Sequence, residues 1–187
     1  MRRGVVLSAV GALVVAAALV WQDAYANFAD TTTALPATIT TATVAVGSNV
    51  EGYPALTLPA MRPGDSATEC IIINSTGTKP SQVMLYGKDR ATTGNLTSWI
   101  TLVWTAGTGG GANGDCTGFV SNGVTVSTTM SAFPTTYAGG YLAWNTVGGT
   151  AAESRTYQLT YSMSSSAPAT TKGGTASITF VWEAQNR

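Results

Sequence analysis

At 187 residues the chain has the length of one domain, or of one domain with an appendage. Its charged fraction is 10%, against about 25% in an ordinary soluble domain. The formal net charge of +0, with no cluster of Lys and Arg, argues against nucleic acid and anionic lipid as partners. The chain contains 0 histidines, which removes the commonest general base and the commonest metal ligand together.

The chain opens with a short positive stretch, Arg2-Arg3, then an almost wholly apolar run from Gly4 to Val20, then the small-x-small tripeptide Ala24-Tyr25-Ala26. That order predicts a signal peptide over 1–26, cleaved between Ala26 and Asn27 by signal peptidase. The alternative is an uncleaved anchor, although the apolar run falls a little short of the ~20 residues that a spanning helix needs. Cleavage removes Arg2, Arg3 and Asp23 and leaves a mature chain of net charge −1. Export also carries both cysteines, Cys70 and Cys116, into an oxidising compartment.

Residues 27–46 are rich in Thr and Ala and poor in large apolar side chains. Ala37 to Val46 reads as one extended strand with weak anchors at Ile39, Val44 and Val46. A strand with so little core content at a mature N-terminus either pairs within its own sheet or adds to the sheet of another subunit.

Residues 47–187 show period-two alternation and no sustained helical period. Leu56 and Leu58 flank Thr57 in a short strand, and Cys70 to Ile73 is a continuous apolar run, as in a strand buried on both faces. Ile100, Leu102 and Trp104 alternate, as do Tyr157, Leu159, Tyr161 and Met163, and then Ile178, Phe180 and Trp182. Turn signals separate the runs: Pro63-Gly64-Asp65, Asn74 to Gly77, Asn122-Gly123, Gly139-Gly140, Gly148-Gly149 and Gly173-Gly174. Pro63 and Gly64 suit the two central positions of a type II turn. Gly107 to Gly114 reads as the most flexible loop. Many short strands at near-regular spacing predict an all-β antiparallel sandwich of jelly-roll type.

Little in the sequence supports catalysis. Without histidine, zinc-protease motifs and His-dependent serine triads are absent, and neither a G-x-S-x-G elbow nor a G-K-[ST] phosphate loop occurs. The carboxylates are scattered, so no metal site and no cofactor is expected. A glycosidase pair would meet only in space, and no motif marks one. Cys70 and Cys116 read as one disulfide closing a loop of about 46 residues, with two free buried thiols as the alternative. The aromatic residues Trp99, Trp104, Trp144, Trp182, Tyr157 and Tyr161 read first as core, and second as a carbohydrate-binding platform if several stand exposed together.

Four segments carry a resemblance. Ala24-Tyr25-Ala26-Asn27-Phe28-Ala29-Asp30-Thr31 is similar to the signal-peptide junction of the TasA/camelysin family of bacterial biofilm-matrix proteins. Ala55 to Asp65, ending Arg62-Pro63-Gly64-Asp65, resembles that family's strand ending in Leu-Lys-Pro-Gly-Asp. Cys70 to Gly77 resembles its apolar strand closing in Asn-x-Gly, and Ala176 to Gln185 resembles its final strand.

The resemblance implies a jelly-roll domain that polymerises into extracellular fibres, with the mature N-terminal strand, here 27–46, donated to a neighbouring subunit. It implies a secreted structural protein of the cell surface or biofilm matrix, and the residues themselves lead to the expectation that it is not an enzyme. Its partners would be identical subunits in a homopolymer, anchoring or minor matrix proteins, and signal peptidase during export. The protease activity attributed to camelysin-type members has no histidine to support it here. A monomeric adhesion or carbohydrate-binding module is the alternative.

Overall fold

The final strand shows how alternation builds this protein. Ile178, Phe180, Trp182 and Ala184 all project into the core from one face of Ala176–Asn186. The computed structural model describes residues 29–32, 46–48, 55–57, 61–111 and 114–187, the first three stretches by their strand pairing. Ten strands follow in chain order: β1 (Ala29–Thr32), β2 (Val46–Ser48), β3 (Ala55–Thr57), β4 (Ser66–Ser75), β5 (Ser81–Thr92), β6 (Ile100–Thr108), β7 (Val120–Thr129), β8 (Tyr141–Thr146), β9 (Glu153–Met163) and β10 (Ala176–Asn186). Helical structure among the described residues is confined to 3-10 turns at Leu96–Ser98, Met130–Ala132, Tyr137–Gly139 and Ala169–Thr171. The expected cleavage residues Ala26 and Asn27, and the strand anchors Ile39 and Val44, lie outside the described residues.

The strands form two sheets in which every described pair is antiparallel. The first has the order β1-β10-β5-β8, with β3 also paired to β10, and the second β2-β4-β9-β6-β7. The chain changes sheet at every connection except the β6–β7 hairpin. The molecule is an all-β sandwich, as expected from the sequence, with its core between the sheets. Trp104 of the second sheet meets Phe180 and Trp182 of the first edge-on, with ring centroids 4.8 and 5.7 Å apart. Edge-to-face pairs add about 0.5–1.5 kcal/mol each beyond the area they bury. Among the described residues, the Trp104 and Trp182 indole nitrogens and the Tyr157 hydroxyl are buried without a hydrogen-bond partner of ordinary geometry.

The outer faces are knit by threonine. Hydroxyl pairs cross between strands at Thr68–Thr160 and Thr105–Thr125, 2.8 and 3.1 Å apart, and Thr93 and Thr175 pair at 3.0 Å beside the first sheet. Branched Cβ atoms favour the strand, and the hydroxyls supply a cross-strand bond.

Two turns show their local causes. At Arg62 to Asp65 the Asp65 N–H donates to the Arg62 carbonyl at 2.9 Å, and Gly64 takes φ +93°. That conformation is open to glycine and costly for other residues. The Asp65 carboxylate accepts in return from the Arg62 N–H at 2.8 Å. Beyond β8, the Val147 and Gly148 N–H groups both donate to one oxygen of Glu153, at 2.8 and 3.0 Å.

The glycine-rich loop after β6 is pinned rather than free. Gly107 and Thr108 belong to β6 itself. Gly107 faces the Val120 carbonyl, and Gly109, at φ +72°, faces the Gly118 carbonyl, both closer than a Cβ allows. The loop then reaches β4, where the Cys70 N–H donates to the Gly114 carbonyl at 3.0 Å. There the expected Cys70–Cys116 disulfide is formed, with Cα atoms 5.1 Å apart. Cys70 alternates with the core residues Ile71 and Ile73, so the bridge sits on the outer face of the second sheet. That covering explains the continuous apolar run at Cys70 to Ile73: one face meets the core and the other meets the loop.

Candidate assembly site

The site is the edge of the first sheet where β10 receives the N-terminal part of the chain. One edge of β10 is fully engaged by β5, from Ala176↔Thr92 to Asn186↔Ser81. The other edge carries two short strands. β1 pairs as Ala29↔Gln185, Asp30↔Ala184, Thr31↔Glu183 and Thr32↔Trp182. β3 pairs as Ser177↔Thr57, Ile178↔Leu56 and Thr179↔Ala55. Between them, Phe180 and Val181 have no strand partner on this edge among the described residues.

The outer face beside this edge holds a buried polar cluster. Val181 stands opposite Tyr86 in the β10–β5 ladder, and Glu183 is one step further along the same face. All three are buried, although they point away from the sandwich core. The Tyr86 hydroxyl donates to Glu183 Oε2 at 2.6 Å, and Gln185 Nε2 donates to Oε1 at 2.8 Å. A short bond from a hydroxyl to a carboxylate is among the stronger neutral-to-ion pairs. Burial, then the hydrogen bond to Glu183 and its charge, pushes the Tyr86 hydroxyl well above its usual pKa. Burial and the same charge raise Tyr137, whose hydroxyl donates to the Gln82 carbonyl at 2.9 Å. The Lys88 ammonium lies 5.5 Å from the Tyr86 ring centre, within cation–π range. Glu183 is thereby held by donors from β5 and β10 directly under the position that Thr31 occupies.

The other residues singled out in the sequence are dispersed. Pro63, Gly64 and Asp65 form the turn into β4, and Cys70 and Cys116 tie the β6–β7 loop. Val46 begins β2 and pairs with Ser75 at the edge of the second sheet. The carboxylates serve local structure: Asp65 and Glu153 accept from backbone N–H groups, and Asp115 is held below its usual pKa by the Thr117 N–H and hydroxyl. Among the described residues, no group of three or more His, Cys, Asp or Glu stands together as a metal site. Trp104, Trp144, Trp182, Tyr157 and Tyr161 are buried, so these rings build the core rather than an exposed platform. The Tyr86–Glu183–Gln185 cluster was not foreseen, because its members meet only when β5 lies beside β10.

The molecule is thus an all-β sandwich with a short N-terminal strand seated on a sheet edge. Comparison with protein-family models, with curated proteins and with solved structures found no match to this chain.

Proposed function

We propose that this protein is a secreted structural subunit that polymerises into extracellular fibres by donating its N-terminal strand to the next subunit. The observation that carries the reading is the β1–β10 pairing. A four-residue strand from the start of the expected mature chain lies on the edge of the final strand. A neighbour's β1 would make the same ladder with the same residues. Exchange therefore replaces one set of backbone hydrogen bonds with an identical set, which is the condition for domain swapping and strand addition.

The sheet orders support a jelly-roll path for the rest. Without β1 and β2, the sheets reduce to β3-β10-β5-β8 and β4-β9-β6-β7. Eight strands that alternate between two sheets, with one hairpin inside a sheet, are the order expected of a jelly roll's double Greek key, which supports that reading. β1 and β2 stand at the ends of the two sheet orders, outside those eight strands. The segment expected to be donated, 27–46, spans β1 and ends at the first residue of β2. Export through the 1–26 leader and assembly at the cell surface or in a biofilm matrix belong to the same reading, as do identical subunits and anchoring proteins as partners.

The test uses the paired positions Ala29 and Gln185. Chains carrying Ala29→Cys and chains carrying Gln185→Cys are co-expressed with their leader and purified under oxidising conditions. Strand donation yields a disulfide between the two kinds of chain, together with filaments in negative-stain electron microscopy. Soluble monomers with no cross-link between chains overturn the reading.

A further inference from the structure

On the opposite side of the sandwich from β1 and β2 lie the other two sheet edges, β8 and β7. We propose that β7 is a second, lateral assembly edge, which pairs antiparallel with β7 of another copy of this chain about a two-fold axis.

The argument begins from how the other edges are closed. On β10 the edge is occupied by β1 and β3. On β4 it is taken by β2 and by the Gly114 bridge at Cys70. On β8 the Ala143 carbonyl accepts from Arg155 Nη1 at 3.3 Å, and the same guanidinium covers the Trp144 ring at 5.4 Å. The regular part of the β7 edge has no such charged guard among the described residues. The 10 residues of β7, Val120–Thr129, include no charge, whereas an exposed edge is ordinarily protected by Lys, Pro or an inward charge. The large apolar side chains exposed among the described residues also gather on this side: Val120 and Val124 on β7, and Val147 just after β8, at 64%, 51% and 76% exposure.

The free ladder is limited to one part of the strand. The Gly123 N–H donates to Ser121 Oγ at 3.0 Å and the Val124 N–H to Asn122 Oδ1 at 3.1 Å. These local bonds bend the first half of β7 away from regular pairing. Thr125–Thr129 remain as the regular stretch, with β6 on one side and no strand partner on the other among the described residues. A strand of Thr, Val and Ser is complementary to itself: self-pairing meets no like charge, and branched side chains oppose one another. The nearly neutral mature chain adds no long-range repulsion. A second copy fits because a two-fold contact needs a patch that matches itself. Such pairing would join two five-stranded sheets into one continuous sheet.

The contact is independent of strand exchange, and the test keeps the two apart. Ala29→Cys and Gln185→Cys are placed together in one full chain, expressed with its leader, and the fraction that runs as a single chain in denaturing, non-reducing gels, in which β1 is locked onto its own β10, is isolated. Light scattering of the locked chain should give twice the monomer mass at high concentration. Adding Ser127→Lys, an exposed position near the two-fold axis, sets like charges together and should return the mass to that of one chain. Mixing Ser127→Lys with Ser127→Glu should restore the doubled mass. The proposal is overturned if the locked chain stays monomeric, if Ser127→Lys leaves the doubled mass unchanged, or if the Lys and Glu chains fail to associate. Failure of strand donation alone leaves all three expected results intact.

Discussion

Breaking the Cys70–Cys116 bridge offers the most direct measure of how the glycine loop stabilises the fold. The disulfide joins residues 46 apart in sequence. Closing a loop of that size in the unfolded chain is worth about 4 kcal/mol by the chain-entropy relation. A domain of this size shifts by roughly 3 °C per kcal/mol, so a loss of ~12 °C in Tm is expected on reduction. Thermal melts followed by circular dichroism, with and without reductant, measure it. Cys70→Ala and Cys116→Ala should each cost about as much as the pair together, because either one abolishes the bridge. Cys70 is fully buried, so its variant adds a small cavity cost that Cys116→Ala avoids. A shift below about 3 °C on reduction would refute the reasoning. It would mean that the Gly114 bridge and the Gly111–Asp115 hydrogen bond hold the loop equally well without sulfur.

Two further outcomes follow from the packing. Burial raises Tyr86, Tyr137, Tyr157 and Tyr161 above the ordinary tyrosine pKa of 10.0, with Arg155 opposing the shift at Tyr157. A group whose folded pKa is raised keeps its full contribution below the unfolded pKa and loses it as pH climbs past that value. Urea midpoints should therefore hold steady up to about pH 10 and fall above it, with a smaller fall in Tyr86→Phe; a flat profile into strong alkali contradicts this. Gly107→Ala puts a methyl group against the Val120 carbonyl and the Phe119 ring, where overpacking costs about 1–3 kcal/mol. A Tm equal to that of the parent chain would show that β6 and β7 separate there at no cost.

The strands that alternate cleanly were legible. Tyr157 to Met163 and Ala176 to Trp182 lie inside β9 and β10, and Ile100 to Trp104 inside β6. Those stretches carry large side chains at successive inward positions, Ile100, Leu102 and Trp104 among them, so their period survives in the sequence. β5 escaped notice because Gly87 takes an inward position. A Cβ there would lie 2.6 Å from Ile178 Cδ1, so the core requires glycine where the pattern leads one to expect a large residue. β7 escaped because it is an edge strand with little core to bury, and Asn122-Gly123, expected to be a turn between strands, lies within it. β8 bends at Leu142, which adopts φ 54°, and its alternation is short. The disulfide was legible from the two cysteines and the expected leader, whereas the place of the bridge on the outer face was not. The β10 edge was half legible: composition marked 27–46 as core-poor, but only the sheet order identifies β10 as the strand that β1 joins.

The threonine pairs across the outer faces bear on the surroundings in which such a protein can work. A surface held by charge pairs loosens as counter-ions accumulate, because their attraction is screened within about 10 Å at 0.1 M salt. Hydroxyl contacts such as Thr68–Thr160 and Thr105–Thr125 carry no net charge to screen and no proton to titrate in the ordinary range. Brine, dilution and moderate acid leave them alike.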